Sequence, residues 1–237
     1  MRILIAALLL GLTAGHALAT ADGPDNWAVK GVAPNDVLNI RAAPNSKGAL
    51  IGTIPHNGDG LVNIDCIGGL TLTEWRDASD AERKASRKSE WCLVGYGRVV
   101  GWVAGWYLEE GSGNPAFEGG NWLPKLEGSE WSLRDLAGKA VPDQAKPSMR
   151  FANFGQVMGF DMCDRFNGFA LTAPGRVIFD EIARGTKNKC LPEKREVSTE
   201  FREVMNATRR HYTSDQIMVL FDADYRVLAT FTRRETQ

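Results

Sequence analysis

Short apolar stretches separated by turn-forming residues run through residues 26–108. The turn signals are Pro44-Asn45, Lys47-Gly48, His56-Asn57-Gly58 and Gly95-Tyr96-Gly97. Short strands with frequent turns are typical of a small β-barrel or sandwich. Residues 74–90 differ, because they carry mixed charges and few apolar side chains beyond Trp75. We interpret this segment as a surface insertion, either a solvated loop or helix face or an arm that recognises a partner.

Residues 125–235 combine strand and helix patterns. Strand-like alternation occurs at Met149, Phe151, Ile217, Val219 and Phe221. A final strand pair is predicted over 218–221 and 225–231, around a turn at 222–224. One helix, packed on the sheet, is predicted from the spacing of Val197, Phe201, Val204 and Met205, with Thr208 on the same face. The predicted fold class is therefore mainly β, with one or two helices.

A segment rich in glycine and turn formers lies between the two patterns. Residues 111–124 contain Gly-Ser-Gly-Asn-Pro and Gly-Gly-Asn and show no apolar period. Such composition is typical of a linker between domains. We therefore predict two domains, at 26–110 and 125–235.

The first nineteen residues have the pattern of a cleavable secretory signal. Arg2 precedes an uncharged apolar run that ends in Ala17-Leu18-Ala19, with small residues at alternate positions. We expect cleavage after Ala19 and a periplasmic or secreted product. The alternative interpretation is a buried N-terminal helix.

Loss of Arg2 with the signal leaves 27 basic against 29 acidic residues, which is close to neutral. A balanced charge gives no electrostatic footprint for nucleic acid or membrane. We therefore expect no nucleic-acid partner and no stable membrane insertion.

Four cysteines would reach an oxidising compartment, where an even number favours disulfides. They form two couples that are local in sequence, so we predict that Cys66 pairs with Cys92 and Cys163 with Cys190. A zinc site is the alternative. The sequence has no Cys-x-x-Cys, and His56 and His211 are isolated, so we expect no metal site.

The first half resembles the bacterial SH3-like (SH3b) family. The motifs are Leu38-Asn39-Ile40-Arg41 followed by Pro44, Ile51-Gly52-Thr53-Ile54, Trp91-Cys92-Leu93-Val94, and Gly101-Trp102-Val103 followed by Tyr107-Leu108. The resemblance implies a small SH3-like β-barrel. The insertion at 74–90 lengthens a loop that is short in the family, and the resemblance implies a Cys66–Cys92 bridge across the base of that loop.

The second half, over roughly 125–235, resembles the META/HslJ family, a β-rich α+β domain. The motifs are Trp131-Ser132-Leu133, Phe151, Gly155, Gly159, Cys163-Asp164-Arg165-Phe166-Asn167-Gly168, Thr186, Cys190, Glu200-Phe201 and residues 220–231. Three positions depart from the family signature. Met162 stands where the signature has glycine, Asp164 where it has asparagine, and Asn188 where it has methionine.

Together the two resemblances imply an envelope protein without catalytic chemistry. META/HslJ domains are associated with envelope stress and drug tolerance, and SH3b domains bind cell-wall peptides or protein partners. We expect a peptidoglycan peptide or an envelope protein as partner, and no cofactor. A protein-interaction or inhibitor module without cell-wall affinity is the alternative.

Candidate catalytic groups are few. His56 lies in a turn, and His211 follows Arg209-Arg210 at a predicted helix end, where a positive charge complements the helix dipole. Acid pairs such as Asp161 with Asp164, or Asp180 with Glu181, could line a cleft, although turn and surface roles are commoner. Cys163 beside Arg165 could be a reactive thiol if it were unpaired. We expect no enzyme, with a cell-wall enzyme as the least favoured alternative.

Aromatic side chains supply the candidate ligand-binding residues. The first half carries Trp75, Trp91, Trp102, Trp106 and Tyr107, which is more than a small core needs. Trp75, Trp106 and Tyr107 are the residues that we expect at a ligand groove, while packing in the barrel core and under a loop would explain them equally well.

Overall fold

The structure is a computed structural model that describes residues 24–119, 125–141, 146–185 and 190–234. The predicted signal at 1–19 lies outside the described residues, as do linker residues 120–124 and the motif positions Thr186 and Asn188. Among the described helices, none is long and apolar enough to cross a membrane. The fold is mainly β, as predicted.

The first half forms a seven-stranded antiparallel sheet in the order β3-β2-β6-β5-β4-β1-β7. The strands are β1 Asn26–Val29, β2 Val37–Arg41, β3 Leu50–Pro55, β4 Leu61–Ile67, β5 Trp91–Tyr96, β6 Val99–Ala104 and β7 Leu108–Glu110. Alternation decides which side chains enter its core: Leu38 and Ile40 of β2 are buried, whereas Val37 is exposed. The predicted turn at Pro44-Asn45 is present, and the Asn45 side chain accepts a hydrogen bond from the Lys47 backbone nitrogen at 3.0 Å.

The segment 74–90 belongs to a folded surface insertion between β4 and β5. It contains α1 Leu72–Asp77, α2 Asp80–Ser86 and a 3₁₀ turn, Arg87–Ser89. Both helices begin with a capping box, Thr71 with Glu74 and Ser79 with Glu82. Such boxes satisfy backbone donors that a helix of one or two turns would otherwise leave free. Of the loop and the helix that the composition of this segment allowed, the structure adopts the helix.

The second half forms a nine-stranded antiparallel sheet in the order β10-β11-β12-β13-β14-β15-β16-β8-β9. The strands are β8 Glu130–Leu136, β9 Lys139–Ala140, β10 Ser148–Phe151, β11 Gln156–Phe160, β12 Arg165–Ala173, β13 Arg176–Arg184, β14 Arg210–Thr213, β15 Ile217–Phe221 and β16 Val227–Arg233. Because β10 also pairs with β8, the sheet curls back on itself. Its concave side encloses the larger hydrophobic core.

The predicted helix is α3, Pro192–Ala207. Phe201, Val204 and Met205 are buried in the core of the curled sheet, and Val197 packs partly buried against it. Thr208 ends the helix, and its buried hydroxyl donates to the Val204 carbonyl oxygen at 2.6 Å. The apolar spacing in the sequence therefore identified both the helix and the face that it buries.

The two sheets share a hydrophobic core. Leu93, Val100 and Trp102 of the first sheet pack with residues of the second, namely Tyr212, Ile217, Val219, Phe221 and Val227. Hydrogen bonds also join the two sheets. The Trp102 indole nitrogen donates to the Tyr225 carbonyl oxygen at 2.7 Å, and the Val227 backbone nitrogen donates to the Ala42 carbonyl oxygen at 2.7 Å. Strands β5, β6 and β15 are consequently buried on both faces.

Both predicted disulfides are present. Cys66 and Cys92 face each other across β4 and β5. Cys163, just before β12, is bonded to Cys190, just before α3, and no cysteine is free. The zinc alternative and the reactive-thiol alternative for Cys163 are therefore wrong for this state of the protein, because all four sulfur atoms are covalently paired.

Candidate functional site

A groove of about 410 Å³ opens on the first sheet. One wall is the loop 31–36 with strand β2, and the other is the 3₁₀ turn Gly105–Tyr107 with the start of β5. Aromatic and polar side chains share its lining, which is typical of a small-molecule or peptide site.

Three aromatic rings form the apolar part of the groove. The centroids of Trp91 and Trp106 lie 5.7 Å apart with ring planes at 84°, and those of Trp106 and Tyr107 lie 5.8 Å apart at 46°. Edge-to-face packing of this kind holds the rings without covering their outer faces. All three side chains are half-buried, so each keeps some surface for a ligand.

The local sequence explains how these rings come together. Trp91 pairs with Ala104 at the open end of the β5–β6 hairpin, and the chain then turns directly into residues 105–107. Gly105 is required at this turn, because a Cβ there would lie 2.9 Å from Cγ of Glu90. The hairpin register therefore brings Trp91 beside Trp106.

Polar groups line the same groove. The Arg41 guanidinium donates to the Gly48 carbonyl oxygen at 2.9 Å, which fixes its position. The Asp36 carboxylate accepts from the Val37 backbone nitrogen at 2.8 Å. Within the described part of the chain, neither side chain forms an ion pair. The groove thus offers one negative and one positive group beside aromatic surfaces.

Trp75 lies elsewhere. It belongs to α1 in the insertion and does not line the groove. The guanidinium carbons of Arg83 and Arg87 each lie 5.5 Å from its ring centroid, and the Arg83 Nε donates to the Trp75 carbonyl oxygen at 2.9 Å. Cation–π contacts of this kind stabilise the insertion itself. Of the three predicted ligand-binding residues, the structure therefore brings together only Trp106 and Tyr107.

The groove also contains Trp91, Asp36 and Arg41, which no pattern in the sequence assigns to it. Trp91 could have been found from the hairpin, because a β5–β6 pairing places the first residue of one strand opposite the last residue of the other. Nothing in the pattern around Asp36 or Arg41 indicates which side of the sheet receives the loop before β2.

The acidic residues of the second half that were candidates for a catalytic cleft lie in a turn or on the exposed surface of a strand. The buried Asp161 carboxylate accepts from the backbone nitrogens of Cys163 and Asp164, at 3.0 and 2.7 Å. It orders the turn that leads to the Cys163–Cys190 bridge. Met162 in this turn has φ +82°, a conformation that favours glycine, so the backbone keeps the shape expected of the family signature although the residue has changed. Asp180 and Glu181 are exposed on β13.

One group in the described residues has the spacing of metal ligands, namely Cys66, Glu90 and Cys92, whose ligand atoms lie within 4.8 Å of one another. Its two sulfur atoms are joined in a disulfide, so they are not available as thiolates. Burial raises the pKa of the Glu90 carboxyl, which disfavours its charged form.

His211 is not at a helix end, and its sequence interpretation was wrong. Helix α3 ends at Ala207, and His211 lies buried in β14. Its Nδ1 lies 2.7 Å from the Thr213 hydroxyl, and its Nε2 lies 3.3 Å from the Ala173 carbonyl oxygen. A carbonyl oxygen only accepts, so Nε2 carries the proton. Burial lowers the pKa of this imidazole and so disfavours the positive charge that would complement a helix dipole.

The stability of the protein should depend on pH through His211. The folded-state pKa of His211 is lowered from about 6.5, the value in the unfolded chain. The neutral imidazole therefore contributes fully to the free energy of unfolding above pH 6.5, and this contribution is lost as pH falls through the folded-state pKa. We expect the free energy of unfolding to fall more steeply between pH 7 and 5 in the wild type than in His211→Gln. Urea denaturation across this range measures both profiles.

The wild type must be compared with His211→Gln because the pKa values of Asp65 and Glu90 shift in the opposite direction from that of His211. Burial raises both pKa values, so these groups contribute more to stability as pH falls. Both are present in the variant, and their effect cancels in the difference. Parallel profiles would contradict the assignment of a buried neutral imidazole.

The fold and the site define a β-rich protein with two disulfides, a second sheet that curls around one helix, and an aromatic groove on the first sheet. Residues 124–235 match the model of the META domain family, so this part of the chain is similar to a META domain. The match extends over the curled sheet and α3.

The chain is also similar to solved structures. One is an NMR structure of a protein from Burkholderia xenovorans, with 18% identity, 54% of this chain and 99% of that chain covered, and a TM-score of 0.42. Another is a crystal structure of a DUF4847 family protein from Bacteroides vulgatus, with 11% identity, coverages of 47% and 96%, and a TM-score of 0.36. No curated protein matches the chain.

Proposed function

We propose that this chain is an exported, non-catalytic envelope protein whose first domain binds a peptide of the cell wall in the aromatic groove. The observation that carries the proposal is the juxtaposition of Trp91, Trp106 and Tyr107 with Asp36 and Arg41. The resemblance of the first half to SH3b domains favours the same ligand class. The two disulfides are compatible with a periplasmic or secreted location.

The chemistry of the groove suits such a peptide. Aromatic faces cover the aliphatic parts of short side chains, while Asp36 can accept from an amine and Arg41 can donate to a carboxylate. Both Trp rings are already held by packing, so binding orders few additional torsions. In this proposal the META domain, whose family suggests a non-catalytic domain of unclear role, acts as a stress-related module attached to the binding sheet.

Co-sedimentation of the full mature chain with insoluble peptidoglycan tests the proposal. We expect Trp106→Ala to weaken binding about thirtyfold, because removal of a tryptophan at the centre of an interface costs about 2 kcal/mol. Trp75→Ala is the matched control, since it removes an aromatic ring that lies outside the groove. Equal pelleting of wild type and Trp106→Ala would contradict a role for the groove, and release of soluble fragments from the peptidoglycan would contradict a non-catalytic protein.

A second candidate function is a protein-interaction module that uses the insertion. The observation in its favour is that the segment around 74–90 folds into two capped helices with a stacked Trp75, which presents a defined surface. Here Trp75→Ala would reduce capture of an envelope protein while leaving peptidoglycan pelleting unchanged. The two substitutions therefore distinguish the two functions.

A further inference from the structure

Exposed apolar side chains concentrate on one side of the META domain. Among the described residues, eight large apolar side chains are exposed: Val37, Leu50, Phe154, Met158, Phe169, Leu171, Ile178 and Leu191. Five of them lie on β11, β12, β13 or the turn before β11. Scattered single apolar residues are ordinary on a protein surface, but a contiguous group marks an interaction site.

The strand register places these residues side by side. Leu171 is directly opposite Ile178, and Phe169 lies two residues before Leu171 on the same face of β12. Met158 is opposite Asn167, the next outward residue of β12. Directly paired side chains in a sheet lie about 5 Å apart. We name the outward side chains Met158, Phe169, Leu171 and Ile178 the Phe169 face.

Phe154 is the most exposed of the five, with 93% of its surface accessible, and lies beside this face near Ala170 and Thr172. It lies on the turn between β10 and β11 and has φ +60°, a left-handed conformation that disfavours a non-glycine residue. The backbone therefore holds a large apolar ring outward at an energetic cost. Residues held in this way are concentrated at binding and switch sites.

Arginines surround the apolar group on the same outward side. Arg176 pairs with Ala173, Arg165 with Phe160, and Arg150 with Met158, which places all three on this face. All three are exposed, and none forms an ion pair with another described residue.

Acidic side chains compensate this charge only in part. Asp180, opposite Phe169, lies within the face, and the exposed Glu181 follows it on β13. Glu130, opposite Arg150, is engaged by Arg234 at 2.9 Å. The face is therefore apolar at its centre and net positive around it, although the whole chain is nearly neutral.

We propose that the Phe169 face docks on the surface of an anionic glycerophospholipid bilayer. Apolar side chains enter the boundary between headgroups and acyl chains, and flanking guanidinium groups bind lipid phosphates, which is the arrangement of interfacial membrane binding. A second copy of the chain fits less well, because a symmetric contact would bring the arginines of both copies together. The docking is peripheral and involves no membrane-spanning segment.

Flotation of the full mature chain with vesicles tests this proposal. One set of vesicles contains phosphatidylcholine alone, and the other contains phosphatidylglycerol and phosphatidylcholine in equal parts. We expect binding to the anionic vesicles only, weakened by added salt. Arg176→Gln should reduce the partition coefficient about fivefold, because each arginine near an anionic surface contributes about 1 kcal/mol. Arg98→Gln, an exposed arginine outside the face, is its control.

A second pair of variants tests how much the apolar side chains contribute to vesicle binding. Leu171→Ser removes a side chain that is 65% exposed within the face, and Leu191→Ser removes one that is 54% exposed outside it. We expect about a tenfold loss of vesicle binding for the first and none for the second. Binding to neither vesicle, equal binding to both, or equal effects of the two leucine substitutions would overturn the proposal. So would a dimer in solution that Leu171→Ser dissociates. Trp106→Ala should leave flotation unchanged, which keeps this result separate from the groove.

Discussion

Replacement of Trp102 by alanine is expected to lower the free energy of unfolding by about 3 to 5 kcal/mol. Trp102 is fully buried between the two sheets and belongs to the core that they share. Alanine would leave a cavity there and would also remove the indole donor, so the Tyr225 carbonyl oxygen would lose its 2.7 Å hydrogen bond. Urea denaturation monitored by circular dichroism measures the loss.

The position of this cavity between the two sheets predicts which strands are destabilised together. Side chains from both sheets surround it, including Leu93 and Val100 on one side and Val219 and Phe221 on the other. We expect hydrogen exchange to accelerate in β6 and in β15 together, because both strands lose packing at the same contact. Acceleration confined to the first sheet would contradict a shared core.

Two further variants calibrate the Trp102 result. Trp102→Phe keeps an aromatic ring but loses the donor and part of the volume, so its cost should be clearly smaller than that of alanine. Trp75→Ala removes the same side chain from the half-exposed insertion, and we expect it to cost less than about 1 kcal/mol. Equal losses for Trp102→Ala and Trp75→Ala would refute the importance of the buried position.

Removal of the second disulfide should also lower the stability strongly. The double variant Cys163→Ser/Cys190→Ser is expected to lose roughly 3 kcal/mol, because the bridge closes a loop with a sequence separation of 27 and restricts the unfolded chain. The loop contains β12 and β13, which carry the Phe169 face. Urea denaturation of wild type and variant, both under non-reducing conditions, gives the difference.

The first disulfide is the matched comparison. Cys66–Cys92 has a sequence separation of 26, so loop entropy alone predicts nearly the same loss for Cys66→Ser/Cys92→Ser. Cys92 is also buried in the core of the first sheet, whereas Cys163 is half-buried. A hydroxyl at 92 therefore adds a burial cost, and the first pair should lose at least as much as the second. Losses below about 1 kcal/mol for both pairs would contradict the loop-closure account.

Several features could be predicted from the sequence because they depend on local order. The spacing of Phe201, Val204 and Met205 identified α3 and its buried face, since helical period and burial both follow from neighbouring residues. The cysteine couples identified the bridges, because each pair is close along the chain. The charged composition of 74–90 placed that segment at the surface.

The ligand groove could be predicted only in part. Trp106 and Tyr107 are adjacent in the chain, so they necessarily share a location. Trp75 belongs to the insertion, and its ring is contacted by Arg83 and Arg87 of the same segment. No pattern along the chain distinguishes an aromatic ring that reaches the groove from one that packs on its own helices.

The sequence by itself determined the final strand pair, α3, the two bridges and the surface insertion, since each depends on composition or periodicity over a short stretch. Only the tertiary structure decided that Ile217, Val219 and Phe221 face the first sheet while Met218 and Leu220 face the core of the curled sheet. It also decided that Arg150, Arg165 and Arg176, which lie on three different strands, surround the Phe169 face. Strand register and sheet packing join residues that are far apart in the chain, and these long-range contacts leave no local period in the sequence.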